Sequence, residues 1–176
     1  MNNSLRLTII ALLLAVSNLS AATLYVSLGS PNATPPYTNW ATAATSIQQA
    51  VGAAAAGDEV VVTDGVYAGG LAVDKPLRLR SVNGPQFTVI NGGGAVQCAS
   101  LTSGASLSGF TLTHGYAYGG DGGGVWCASP NAFLTNCVIA GNSATLTDTG
   151  NGGNGGGAYG GTLYNCTLTG GAFLNQ

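Results

Sequence analysis

Apolar positions follow two different periods along this chain. From Thr23 to Ser27 (Thr-Leu-Tyr-Val-Ser) they alternate, as on a half-buried strand. Between Thr45 and Gly57 the spacing changes. Ile47, Ala50, Val51 and Ala54 fall at i, i+3, i+4 and i+7, which is one face of a helix over residues 46–56. Thr45 with Gln48 three residues on reads as a capping box, and Gly57 suits the left-handed position that ends helices. After Gly57 the pattern turns to short apolar runs: Glu59–Val62, Leu71–Val73, Leu77–Arg80 and Thr88–Asn91. Asp64-Gly65, Asp74-Lys75-Pro76 and Asn83-Gly84-Pro85 punctuate them as turns. Beyond residue 22 one helix is predicted, and the other elements are short strands joined by turns and, over Gly29–Asn39 with Pro31, Pro35 and Pro36, by a loop.

One phrase then recurs. It reads Leu107-Ser-Gly-Phe-Thr-Leu-Thr-His-Gly115, Leu134-Thr-Asn-Cys-Val-Ile-Ala-Gly-Asn142 and Leu163-Tyr-Asn-Cys-Thr-Leu-Thr-Gly-Gly171, with starts 27 and 29 residues apart. A glycine block repeats beside it, Gly122-Gly-Gly-Val-Trp126 and Gly155-Gly-Gly-Ala-Tyr159. A period in this range marks a solenoid; hairpins of a sandwich would not reproduce one side-chain order. With the first, fourth and sixth residues inward, three apolar columns form: Leu107, Leu134 and Leu163; Phe110, Cys137 and Cys166; Leu112, Ile139 and Leu168. The third place holds Gly109, Asn136 or Asn165, residue types that share tolerance of the left-handed region, so a bend and a side-chain ladder are predicted there. Strands stack at about 4.8 Å, so about four coils between Val60 and Gln176 make a cylinder on the order of 20 Å long.

Composition narrows the partners. Only 6% of residues are charged and the net charge is −2. Past residue 22 the basic side chains are Lys75, Arg78 and Arg80, too few to neutralise a phosphate backbone, so no nucleic-acid partner is expected. Arg6, the apolar run Leu7–Val16 and the small residues Ser20-Ala21-Ala22 read as an export signal over residues 1–22. The run falls short of the ~20 residues of a spanning helix, so no transmembrane segment is expected in the mature chain. An N-terminal strand, loop and helix over 23–57 and coils over 58–176 complete the predicted organisation, outside the cytoplasm, secreted or at the cell surface or outer membrane.

The helix followed by Gly57-Asp-Glu-Val-Val-Val-Thr-Asp-Gly-Val-Tyr67 resembles the N-terminal cap and first coil of right-handed parallel β-helix (pectate-lyase-like) proteins. The phrase Leu-Ser-Gly-Phe-Thr-Leu-Thr-His-Gly is similar to their strand-bend-strand unit, and the resemblance covers roughly residues 24–176. The Gly-Gly-Gly blocks and the Asn-Cys units loosely resemble repeats of polymorphic outer-membrane proteins of the autotransporter type, although Leu134-Thr-Asn-Cys departs from their Phe-x-x-Asn unit. The resemblance implies an all-β solenoid with one short capping helix. In the enzymes of this fold it implies clustered carboxylates that hold calcium, with Arg or Lys as base, or a carboxylate pair at the scissile bond.

The candidate chemistry is sparse by that standard. The acids are Asp58, Glu59, Asp64, Asp74, Asp121 and Asp148, and no pair recurs on one strand. No catalytic residue is assigned. His114 stands where the other phrases have Gly141 and Gly170, so it reads as a solvated turn residue, with a base beside Asp121 as the alternative. The loop Asn151-Gly-Gly-Asn-Gly-Gly-Gly157 is similar to a calcium-binding nonapeptide but lacks its Asp, which leaves calcium a remote alternative to no cofactor. Trp126 and Tyr159 should face outward and stack on adjacent coils, either covering the sheet or holding sugar rings. Cys137 matches Cys166, and Cys98 (Val-Gln-Cys-Ala-Ser) matches Cys127 (Val-Trp-Cys-Ala-Ser); each pair would stand at disulfide range or pack as small apolar side chains. Cys-x-x-Cys spacing is absent, which argues against zinc.

Two functions follow as expectations. One is a non-enzymatic, exported β-helix serving as a cell-surface structural or adhesive module with polysaccharide or a host surface as partner. The other is the N-terminal part of a polysaccharide lyase or glycoside hydrolase whose active coils lie downstream. The last phrase ends near Phe173-Leu-Asn-Gln176 without a polar cap, which predicts a fragment.

Overall fold

The computed structural model describes residues 20–145 and 153–170. The apolar run 7–16, Asp148, the first two residues of the 151–157 loop and the stretch 171–176 lie outside the described residues.

The chain is all-β and its strands pair in parallel, an arrangement compatible with a parallel β-helix. In the first sheet Thr23–Val26, Glu59–Val62, Arg78–Ser81, Ser106–Ser108, Phe133–Thr135 and Thr162–Tyr164 lie side by side in that order. The second holds Gly65–Ala68, Thr88–Asn91, Thr111–Thr113, Val138–Ala140 and Thr167–Thr169. The third holds Leu71–Val73, Ala99–Leu101, Val125–Cys127 and Ala158–Tyr159. A small fourth sheet pairs Tyr116–Tyr118 with Ser143–Thr145.

Register follows the side-chain alternation, because a slip of one residue would turn every apolar side chain outward. Leu24, Val60, Leu79, Leu107, Leu134 and Leu163 are successive partners in the first sheet, a column that reaches below the three leucines of the repeated phrase. Tyr67, Ile90, Leu112, Ile139 and Leu168 form the second-sheet column. Phe110 lies below Cys137, and Cys137 below Cys166. Phe110 and all members of both columns up to Leu134 and Ile139 are buried; Leu163, Cys166 and Leu168 pack on this core partly buried.

The bend between first and second sheets is left-handed at all three predicted positions, with φ of 78° at Gly109, 51° at Asn136 and 50° at Asn165. Asn165 Nδ2 donates to Asn136 Oδ1 at 3.4 Å, one rung of a ladder. Gly109 differs for a local reason. Ser81 Oγ lies against it, donates to the Gly109 carbonyl, and occupies the place a Cβ would take. A second left-handed bend recurs at His114, Gly141 and Gly170.

The helix, Ile47–Ala53, is shorter and shifted from its expected bounds. Its N-cap is Ser46, not Thr45, and the capping box closes on Gln49: Gln49 N donates to Ser46 Oγ at 3.3 Å and Ser46 N to Gln49 Oε1 at 3.2 Å. The helix ends in an extended residue, Ala54, before Gly57 is reached. Lys75 replaces the expected glycine cap. Its ammonium donates to the carbonyls of Val51 and Ala54, each at 2.8 Å, which satisfies the terminal acceptors and suits the negative end of the helix. A 3-10 turn at Trp40–Thr42, which the periodicity did not signal, brings Trp40 onto Tyr25, with centroids 4.4 Å apart.

Candidate functional site

Alternation on the third sheet buries Ala99, Leu101, Val125, Cys127 and Ala158 and turns Trp126 outward. The outward partners form a column of Ala72, Ser100, Trp126 and Tyr159. Small residues below the indole leave a hollow of about 210 Å³, lined by Ala72, Asp74, Ser100, Thr102, Trp126 and Ala128 among others. Tyr159 does not line this hollow. It lines a larger hollow of about 420 Å³ with Ser129, Pro130, Gly160, Gly161 and Thr162. Trp126 and Tyr159 are thus register partners as expected, but they line two different hollows. The described ring contacts are Tyr25–Trp40 and Phe133–Tyr164.

The second of these contacts was not anticipated from the sequence. Phe133 and Tyr164 sit on the outer face of the first sheet, with centroids 6.4 Å apart and ring planes at 19°. They occupy diagonal positions on adjacent strands, within aromatic reach. Tyr164 is 57% exposed. The signal was present, since Phe133 and Tyr164 flank the inward Leu134 and Leu163 that the repeat already stacks.

A tight corner joins these two aromatic faces. Ala132 N donates to Ser129 O at 3.1 Å, Asn131 N to Ser129 Oγ at 3.1 Å, and Thr162 Oγ1 to Pro130 O at 2.7 Å. Trp126, Tyr159, Phe133 and Tyr164 therefore wrap one braced edge. Aromatic faces, hydroxyls and main-chain groups line it, and among the described lining residues Asp74 is the one carboxylate. Such a surface can stack planar apolar faces and bond neutral hydroxyls.

The cysteines divide differently from the sequence match. Cys127 pairs in register with Leu101, not Cys98, because Ala99 aligns with Val125. The Cys98–Cys127 equivalence is therefore corrected: the shared letters Val-x-Cys-Ala-Ser are offset by three residues from the pairing that buries both strands' apolar faces. Cys98 instead lies against Asn142, with Cys98 Sγ 3.5 Å from its Oδ1. Cys137 and Cys166 do stack. All four are free thiols. Burial pushes Cys98 up to about 11 and Cys127 up to about 12. The stacked thiols push each other apart in pKa: the Cys166 neighbour, with burial second, raises Cys137, and the Cys137 neighbour lowers the more accessible Cys166 to about 6.

Most of the acids have structural partners. Asp58 accepts from the amides of Ala22 and Ala55, both at 2.8 Å. Glu59 pairs with Arg80 at 3.0 Å, Asp64 with the Asn83 amide at 3.0 Å, and Asp121 accepts from Asn154 N at 2.9 Å. The exposed His114 lies 3.2 Å from the Thr113 hydroxyl, and no hydrogen bond links it to Asp121 among the described residues. No group of three His, Cys, Asp or Glu converges among the described residues. No described helix is long and apolar enough to cross a membrane.

The glycine blocks have a packing reason. Asn142, 3% exposed, accepts from Gly115 N at 2.7 Å and donates to Leu112 O at 3.0 Å. Around it the backbones of Gly123 and Gly124 approach so closely that a Cβ on either would overlap neighbouring main chain.

Comparison with protein-family models, with curated proteins and with solved structures yields no match.

Proposed function

We propose that the parallel sheets are the faces of a right-handed parallel β-helix, exported from the cell, that serves as a non-enzymatic structural or adhesive module contacting neutral glycan. The observation that carries this reading is the braced aromatic corner of Trp126, Tyr159, Phe133 and Tyr164 with hollows of about 210 and 420 Å³ beside it. Sugar rings present apolar faces that stack on aromatic rings and hydroxyls that bond Ser, Thr and main-chain groups. The commitment of Asp58, Glu59, Asp64 and Asp121 to structural partners supports binding over bond cleavage.

Affinity electrophoresis in gels containing neutral polysaccharides tests the reading. Retarded migration is expected on at least one of them, reduced severalfold by Trp126→Ala and by Tyr164→Ala at unchanged thermal stability. Unretarded migration in every gel would remove the glycan role. Incubation with pectin and alginate tests the lyase or glycoside hydrolase reading: unsaturated or new reducing-end products would establish it in place of this one.

A further inference from the structure

Asp58 is a buried carboxylate, 6% exposed, and its described partners are two neutral amides. The ion pair among the described residues is Glu59–Arg80, so no described side-chain cation pairs with the Asp58 carboxylate. Burying an unpaired charge is expensive unless it is heavily hydrogen-bonded or balanced. One of the two amides is unusual in position. Ala22 N, 2.8 Å from Asp58 Oδ1, lies at the junction between exposed and packed chain. Ser20 and Ala21 are exposed, whereas Ala22 is partly buried against the core, and its carbonyl accepts from Glu59 N at 2.9 Å.

We propose that the Ala21–Ala22 bond is the processing site of this chain and that Asp58 is the acceptor for the α-ammonium formed there. The proposal rests on the export reading. In the step, a leader peptidase adds water across the Ala21–Ala22 peptide bond. Ala21 keeps the new carboxylate, and Ala22 keeps the nitrogen, which takes up a proton at neutral pH. The nitrogen already sits on Asp58, so a neutral hydrogen bond becomes a charge-assisted one without movement of either group. The small-residue pattern alone places the cut one residue later, before Thr23. That cut would discard the Ala22 amide from Asp58 and the Ala22 carbonyl from Glu59 N, leaving the buried carboxylate with Ala55 N alone.

The test is export of the full chain from a bacterial host, with intact mass and N-terminal sequencing of the product. A first residue of Ala22 is expected. A chain starting at Thr23 would overturn the proposal and leave the export reading standing; a retained leader would overturn both. Thermal unfolding then reads the charge pair. The Ala22-start chain should melt about 2–4 °C above the same chain carrying Ala21 as an extra residue. Asp58→Asn should abolish that gap, and a gap that persists in Asp58→Asn would reject the pairing. Should Asp58→Asn fail to fold, acetylation of the Ala22 amine supplies the second measurement: an unchanged melting temperature would also reject it.

Discussion

At Asn136 a single backbone angle carries much of the repeat. With φ of 51°, this residue turns the chain from the first sheet to the second, and its side chain receives the Asn165 amide. Asn tolerates the left-handed region because its short polar side chain bonds locally; a β-carbon without that help pays roughly 1–2 kcal/mol. Asn136→Ala should therefore lower the unfolding free energy by about 1–2 kcal/mol in urea titrations, while Asn136→Gly should lower it less. The substitution pattern was legible in the sequence as Gly, Asn, Asn. The reason Gly109 is the glycine was not, because Ser81, 28 residues earlier, fills the space a side chain would need.

The short helix shows the same division at the scale of an element. Its amphipathic face was plain: Ile47, Ala50 and Val51 are buried as their spacing required. Its ends were not. Thr45 and Ser46 are both good caps and Gln48 and Gln49 both good partners, so adjacent frames compete and local sequence alone does not choose. The tertiary structure chose Ser46 with Gln49, which frees Gln48 to bond the Ala72 main chain, accepting from its N–H at 2.8 Å. Ser46→Ala should cost about 1 kcal/mol of stability, and Thr45→Ala well under half of that, by thermal or chemical denaturation.

Over the whole molecule the core is a set of columns, not a central cluster. Leu107 is fully buried between Leu79 and Leu134, so Leu107→Ala should cost about 2–5 kcal/mol. Leu163, partly buried at the last described strand of its sheet, should lose distinctly less on the same truncation. Denaturant titration of the two variants in the 176-residue chain checks the order. Equal losses would mean that the Leu163 site is packed as tightly as the interior.

The sequence by itself determined the all-β class, the period, the inward columns and the left-handed bends, because each follows from side-chain alternation and from what Gly and Asn permit at one position. It also placed Trp126 outward. Outside the repeated phrase, only the tertiary structure decided which strands are neighbours and in what register. That choice moved Cys127 from Cys98 to Leu101, and the packing that came with it brought the Phe133 ring onto Tyr164, set Trp126 and Tyr159 beside separate hollows and placed Asp58 on Ala22. The physical reason is the same in each case. Alternation fixes which way a side chain points within its own strand, whereas contacts across strands depend on connecting loops of unequal length, and those lengths bear no local mark of the partner they bring together.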